Sequence, residues 1–135
     1  MLTSGRPVPR GTPGAVTVTG TLLTAAAGAC AASVYGLAQL AGGTAAGAPL
    51  ALLFAAAVSG AVFGSLLDSL LGASWQARYV DGSGRLTDVP CDESGTQNSY
   101  VGGSRWLNND MVNLGNSVGG AASGCLVWLA AGIAG

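Results

Sequence analysis

The chain has 135 residues, of which 50% are hydrophobic and 8% charged, with a mean hydropathy of +0.51; soluble domains carry about 25% charged residues, so this composition points to a membrane protein before any motif is considered. The net charge is −1, the five basic residues are all Arg and His is absent, which leaves no basic patch with interleaved aromatics to support nucleic-acid binding. Cys30, Cys91 and Cys125 lie far apart without a CxxC spacing, which argues against a disulfide framework or a complete zinc site.

Residues 1–14 read as a polar, turn-rich tail. Pro7, Pro9 and Pro13 alternate with Gly5, Gly11 and Gly14, so no regular helix is expected, and the stretch lacks the apolar core of a secretory signal. Residues 15–40 form an uncharged, weakly apolar first span that includes Thr17, Thr19, Thr21 and Thr24. Gly20, Thr24, Gly28, Ala32 and Gly36 recur every four residues and lay a stripe of small side chains along one helix face. Residues 41–48 are a short uncharged connector.

Residues 49–74 form the clearest span, since roughly 20 apolar residues cross a bilayer core. Asp68 is its only charged residue. A carboxylate there costs about 2.5–3.5 kcal/mol on insertion scales, which makes it a functional candidate by default. Gly60, Gly64, Asp68 and Gly72 share one face, so the carboxylate points toward helix packing rather than lipid. Asp68 lies about 10 Å along the helix axis from Trp75, within reach of the membrane boundary that Trp75 marks.

Residues 75–107 are a polar loop or short hairpin holding Arg78, Asp81, Arg85, Asp88, Asp92, Glu93 and Arg105. Its acids read as a solvated surface. Trp75 and Trp106 read as interface-belt residues. A third span, 111–134, is entered through Asn108-Asn109-Asp110, where Asp110 is a candidate N-cap. Asn113, Ser117, Gly120 and Gly124 lie close to one face of this span, and Asn116 flanks it.

The expected fold class is all-α: an integral membrane helical bundle of about three transmembrane helices, with residues 15–135 as the membrane domain. All five Arg fall on the tail and the 75–107 loop, so the positive-inside rule places both on the cytoplasmic side or its organellar equivalent. That topology brings Asp68 and Asp110 to the same membrane face.

Three blocks resemble one family: TSGRPVPRGTPGAVTVTG at 3–20, VFGSLLDSLLGASWQ at 62–76 and GGSRWLNNDMVNLGNS at 102–117. In order and spacing they are similar to the C-terminal half of the transmembrane protein 19 family, also described as domain of unknown function family 92. The resemblance runs over nearly the whole chain and implies a multi-pass membrane protein. Full-length members carry a further membrane-embedded half with its own acidic motif. Some prokaryotic relatives carry paired cysteines in the polar loop, where this chain has only Cys91. The plant and cyanobacterial branch includes the phytyl-phosphate kinase of vitamin E (tocopherol) synthesis, which implies transfer of a phosphoryl group from a nucleoside triphosphate to a prenyl phosphate lipid, in a chloroplast membrane for a plant or algal chain.

Phosphoryl transfer requires Mg²⁺, cations on the phosphates and an aligned nucleophile rather than covalent help. The resemblance accordingly implies catalytic roles for Asp68, Asp110 and Asn113, with Asp68 and Asp110 as hypothetical Mg²⁺ ligands. Ser69, Arg78, Arg105 and Asn109 would bind substrate, the arginines through paired contacts to phosphate oxygens. The rival expectation is a non-enzymatic structural or transport component in which Asp68 joins helices. Three glycine-rich spans bury a lone carboxylate poorly, so partner helices are expected from a further half or from a second copy.

Overall fold

The computed structural model describes residues 5–8, 14–42 and 49–134, with side chains through residue 131. Most of the expected tail, Arg10 included, and the 43–48 part of the connector lie outside the described residues. Three helices, α1 (Val18–Ala41), α2 (Leu50–Ser74) and α3 (Asn109–Ala134), form the chain's long elements. Three short strands, β1 (Arg78–Val80), β2 (Leu86–Thr87) and β3 (Ser99–Gly102), fall between α2 and α3. The chain divides into two compact units, one made of Thr17–Ser65 with Ser117–Gly135 and the other of Met1–Val16 with Leu66–Asn116.

The first unit is helical. All three helices are long and apolar enough to cross a membrane, and the 25 residues of α2 span roughly 37 Å. Thr17 caps α1, its hydroxyl oxygen accepting the Gly20 N–H at 2.9 Å. The hydroxyls that weaken α1 as a span are satisfied within the helix: Thr24 Oγ1 donates to the Gly20 carbonyl and Ser33 Oγ to the Ala29 carbonyl, each at 2.9 Å. Hydroxyls bonded in this way do not require water, so they are compatible with lipid.

Packing within this unit places small side chains inward and large ones outward. The buried residues of α1 are Gly28, Ala32 and Gly36, three members of the stripe legible in the sequence. A β-carbon at Gly28 would lie 2.9 Å from the Ala57 carbonyl oxygen, so α1 and α2 approach backbone to backbone. A β-carbon at Gly60 would lie 2.7 Å from the Gly120 carbonyl oxygen, and one at Gly124 would lie 3.1 Å from that of Ala56, which sets α2 and α3 antiparallel. Leu22, Leu37, Leu126 and Leu129 are exposed by 59–67%. Lipid tails are as apolar as leucine, so close backbone packing rather than leucine burial holds such helices together.

The second unit adds what an all-α expectation lacks: a three-stranded antiparallel sheet in the order β2-β1-β3. Tyr79 and Tyr100 face each other across β1 and β3, their rings 5.6 Å apart and edge-on at 67°. Two turns share one design. In Asp81-Gly-Ser-Gly-Arg85, Asp81 Oδ1 accepts the N–H of Ser83, the hydroxyl of Ser83 and the N–H of Arg85. In Asp92-Glu-Ser-Gly-Thr96, Asp92 Oδ1 accepts the equivalent three from Ser94 and Thr96. Gly84 and Gly95 take φ of +82° and +84°, values that a side chain rarely allows. In this unit Ala73, Ala77, Leu107 and Val112 are buried, as is the polar Gln76.

Candidate functional site

Every sequence-derived candidate falls in the second unit, on the last turns of α2, on β1, in the turn before α3 or on the first turns of α3. Asp68 is half-buried, and its carboxylate accepts a hydrogen bond from the side chain of Asn116. The same pair of helix segments meets again one turn on, where a β-carbon at Gly115 would touch Leu71 at 3.2 Å. Asn113, the expected third catalytic residue, is an exposed residue of α3, and the Asn116 side chain, which flanks its face, bonds to Asp68. A signal for it was available: one helical turn back from Gly120 in the GxxxG is position 116.

Asp110 is not the N-cap of α3. Asn108 is: its Oδ1 accepts the Met111 N–H at 3.0 Å. A cap oxygen must reach the N–H of the second or third helical residue, and α3 begins at Asn109. Asn109 and Asp110 are the first two helical residues, both exposed, with the Asp110 carboxylate at the electropositive helix end. Six residues separate Asp110 from Asn116, roughly 9 Å along the axis. Ser69 is half-buried beside Asp68.

Arg78 opens β1 opposite Gly102. The Arg105 guanidinium sits over the Tyr100 ring, 4.5 Å from its centre, and the Tyr100 hydroxyl donates to the Gly103 carbonyl. Asp92 and Glu93 of the polar segment are exposed, and three of its acids also accept hydrogen bonds. Asp88 accepts from the buried Gln76 amide at 3.2 Å, while Asp81 and Asp92 organise the two turns. The Ser83 hydroxyl, then the Arg85 N–H, hold the Asp81 carboxyl below the usual range, and the Ser94 hydroxyl and Thr96 N–H do the same for Asp92. Asp81, Cys91, Asp92 and Glu93 border a shallow cleft of about 410 Å³.

Among the described residues no group of three or more His, Cys, Asp or Glu side chains forms a metal site. Asp68 and Asp110, the two hypothetical Mg²⁺ ligands, are single carboxylates on different helices, and Asp68 accepts from Asn116. Kinases commonly acquire Mg²⁺ with the nucleotide phosphates, through one or two carboxylates.

The family described as Integral membrane protein DUF92 matches the chain over residues 1–121. No curated protein matches it, and no solved structure does.

Proposed function

Since the chain belongs to the integral membrane protein family DUF92, we propose that it acts within the bilayer on a lipid phosphate, as part of an isoprenyl-phosphate kinase. The single observation that supports this reading is Asp68, a carboxylate inside a membrane-crossing helix and oriented by Asn116. Intramembrane carboxylates of this kind mark sites of function. The resemblance of the DSLLGA and NNDMVN blocks to a branch containing phytyl-phosphate kinase supplies the reaction class.

In this proposal the prenyl chain lies in lipid and its phosphate at the aqueous boundary. A phosphate oxygen attacks the γ-phosphorus of the nucleoside triphosphate, the bond to the β–γ bridging oxygen breaks, and the nucleoside diphosphate leaves. Mg²⁺ bound with the nucleotide would neutralise its phosphates. Asp68 and Asp110 are the acidic groups that would face that complex. Asn109, Asn113 and Ser69 would orient phosphate oxygens, and Arg78 would balance their charge. The remaining contacts would come from a further membrane half or from a second copy.

A second reading is favoured by the Asp68–Asn116 bond itself: in a non-enzymatic membrane component the pair would fasten α2 to α3. Reconstituted protein separates the two when supplied with phytyl phosphate, Mg²⁺ and CTP or ATP. Diphosphate formed by wild type and lost in a folded Asp68→Asn variant supports the kinase. Absence of product with either nucleotide supports the fastening role, and an undiminished Asp68→Asn rate removes Asp68 from the chemistry.

A further inference from the structure

The turn leading into α3 is built to present two side chains. Leu107 N–H donates to the Ser104 carbonyl at 3.0 Å, closing a four-residue turn with Arg105 and Trp106 at its corners. Both ends are fixed: Ser104 N–H donates to the Trp75 carbonyl at 2.8 Å, Ala77 N–H to the Leu107 carbonyl at 3.1 Å, and the Leu107 side chain is buried. Within this frame Trp106 is 72% exposed and Trp75, at the turn's anchor point, 60%. A soluble fold rarely holds two indoles in water beside a rigid backbone. Stacking on Tyr100 steadies the Arg105 guanidinium without consuming its N–H donors.

We propose that this turn is a docking surface for anionic phospholipid head groups, with Arg105 on the phosphate and Trp75 and Trp106 in the interfacial layer. The occupant follows from continuity. Trp75 immediately follows α2, and Trp106 precedes α3 by three residues; both helices are long and apolar enough to cross a bilayer. Indole and guanidinium are the side chains suited to that depth, one apolar with a single donor and the other a fork matched to phosphate. The acids Asp81, Asp92 and Glu93 border a cleft at the two Asp–Ser–Gly turns, away from this turn in the chain. Arg85 is matched there by Asp81. This inference depends on the membrane fold and not on the proposed kinase reaction.

The test uses the full chain in phosphatidylcholine vesicles with or without phosphatidylglycerol. In a Trp75→Phe/Trp128→Phe background, Trp106 emission is expected to be quenched more by lipids brominated near the head group than by lipids brominated near the chain end. Energy transfer from Trp106 to dansyl-labelled phosphatidylglycerol, relative to the labelled phosphatidylcholine, reports local enrichment of anionic lipid. Arg105→Gln is expected to lower that enrichment about fivefold, the share of one interfacial cation, and Arg105→Lys to retain most of it. Quenching by aqueous iodide with none by either brominated lipid would overturn the proposal. So would strongest quenching by the deep bromines, an unchanged lipid preference in Arg105→Gln, or equal loss in Arg105→Lys.

Discussion

Asp68 is the residue on which the proposed function rests, and its partner makes its role measurable. Removing either side of the Asp68–Asn116 bond leaves a polar group in a half-buried, lipid-adjacent setting. A double-mutant cycle with Asp68→Leu and Asn116→Leu, read from unfolding in bicelles, is expected to give a coupling of about 1 kcal/mol, the usual size for a hydrogen bond between membrane helices. A coupling near zero would show that the pair does not join α2 to α3. The acidic residue was legible in the sequence because a lone charge in an apolar run stands out. Its partner was less legible, because Asn113 and Asn116 both approach the inner face by periodicity, and the register of α2 against α3 is what brings Asn116 to Asp68. The cap of α3 is ambiguous in the sequence for a similar reason, since Asn108, Asn109 and Asp110 are all good capping residues and the choice depends on where the helix backbone begins.

At the scale of elements, the two repeated turns predict a pH response. Asp81 and Asp92 hold fewer protons folded than unfolded, because their folded values lie below the model-compound value of 3.8. Their contribution is therefore complete above that ordinary value and is lost as pH falls through the lower folded one. Near-ultraviolet circular dichroism of the Tyr79–Tyr100 pair in detergent is expected to hold steady from neutral pH down to about pH 4 and to decline below it. Asp81→Asn should flatten that decline. The sheet itself was hard to see in the sequence: strands of two to four residues are too short to show alternation, and the pattern Asp-x-Ser-Gly reads as generic loop. The helix packing was far more legible. Small residues at four-residue spacing in α1 and α2 are the ones found at the close approaches, because only they let two backbones come within contact distance. Gly120→Val is accordingly expected to destabilise the helical unit by about 1–3 kcal/mol in thermal unfolding, since any β-carbon there lies 2.8 Å from the Gly60 carbonyl oxygen. Gly82→Ala, at a position with open space around it, serves as the control.

For the molecule as a whole, the three cysteines are natural probes of the membrane arrangement. Cys91 lies in the hairpin, while Cys30 and Cys125 lie within α1 and α3, and all three are exposed, free thiols. A membrane-impermeant maleimide applied to sealed vesicles is expected to label Cys91 from the side that carries the arginines and to leave Cys30 and Cys125 unlabelled from either side. Labelling of Cys91 from the opposite side would invert the topology without altering the fold.

The central claim is that α2 crosses the bilayer with a carboxylate lodged in its helix-packing face. Its most direct test places single cysteines from residue 50 to residue 74 in a cysteine-free chain and measures maleimide labelling in intact vesicles. The expected result is an unbroken block of protected positions ending near Trp75. Labelling at every third or fourth position along the whole helix would mean that α2 lies on the membrane surface, and it would contradict the account.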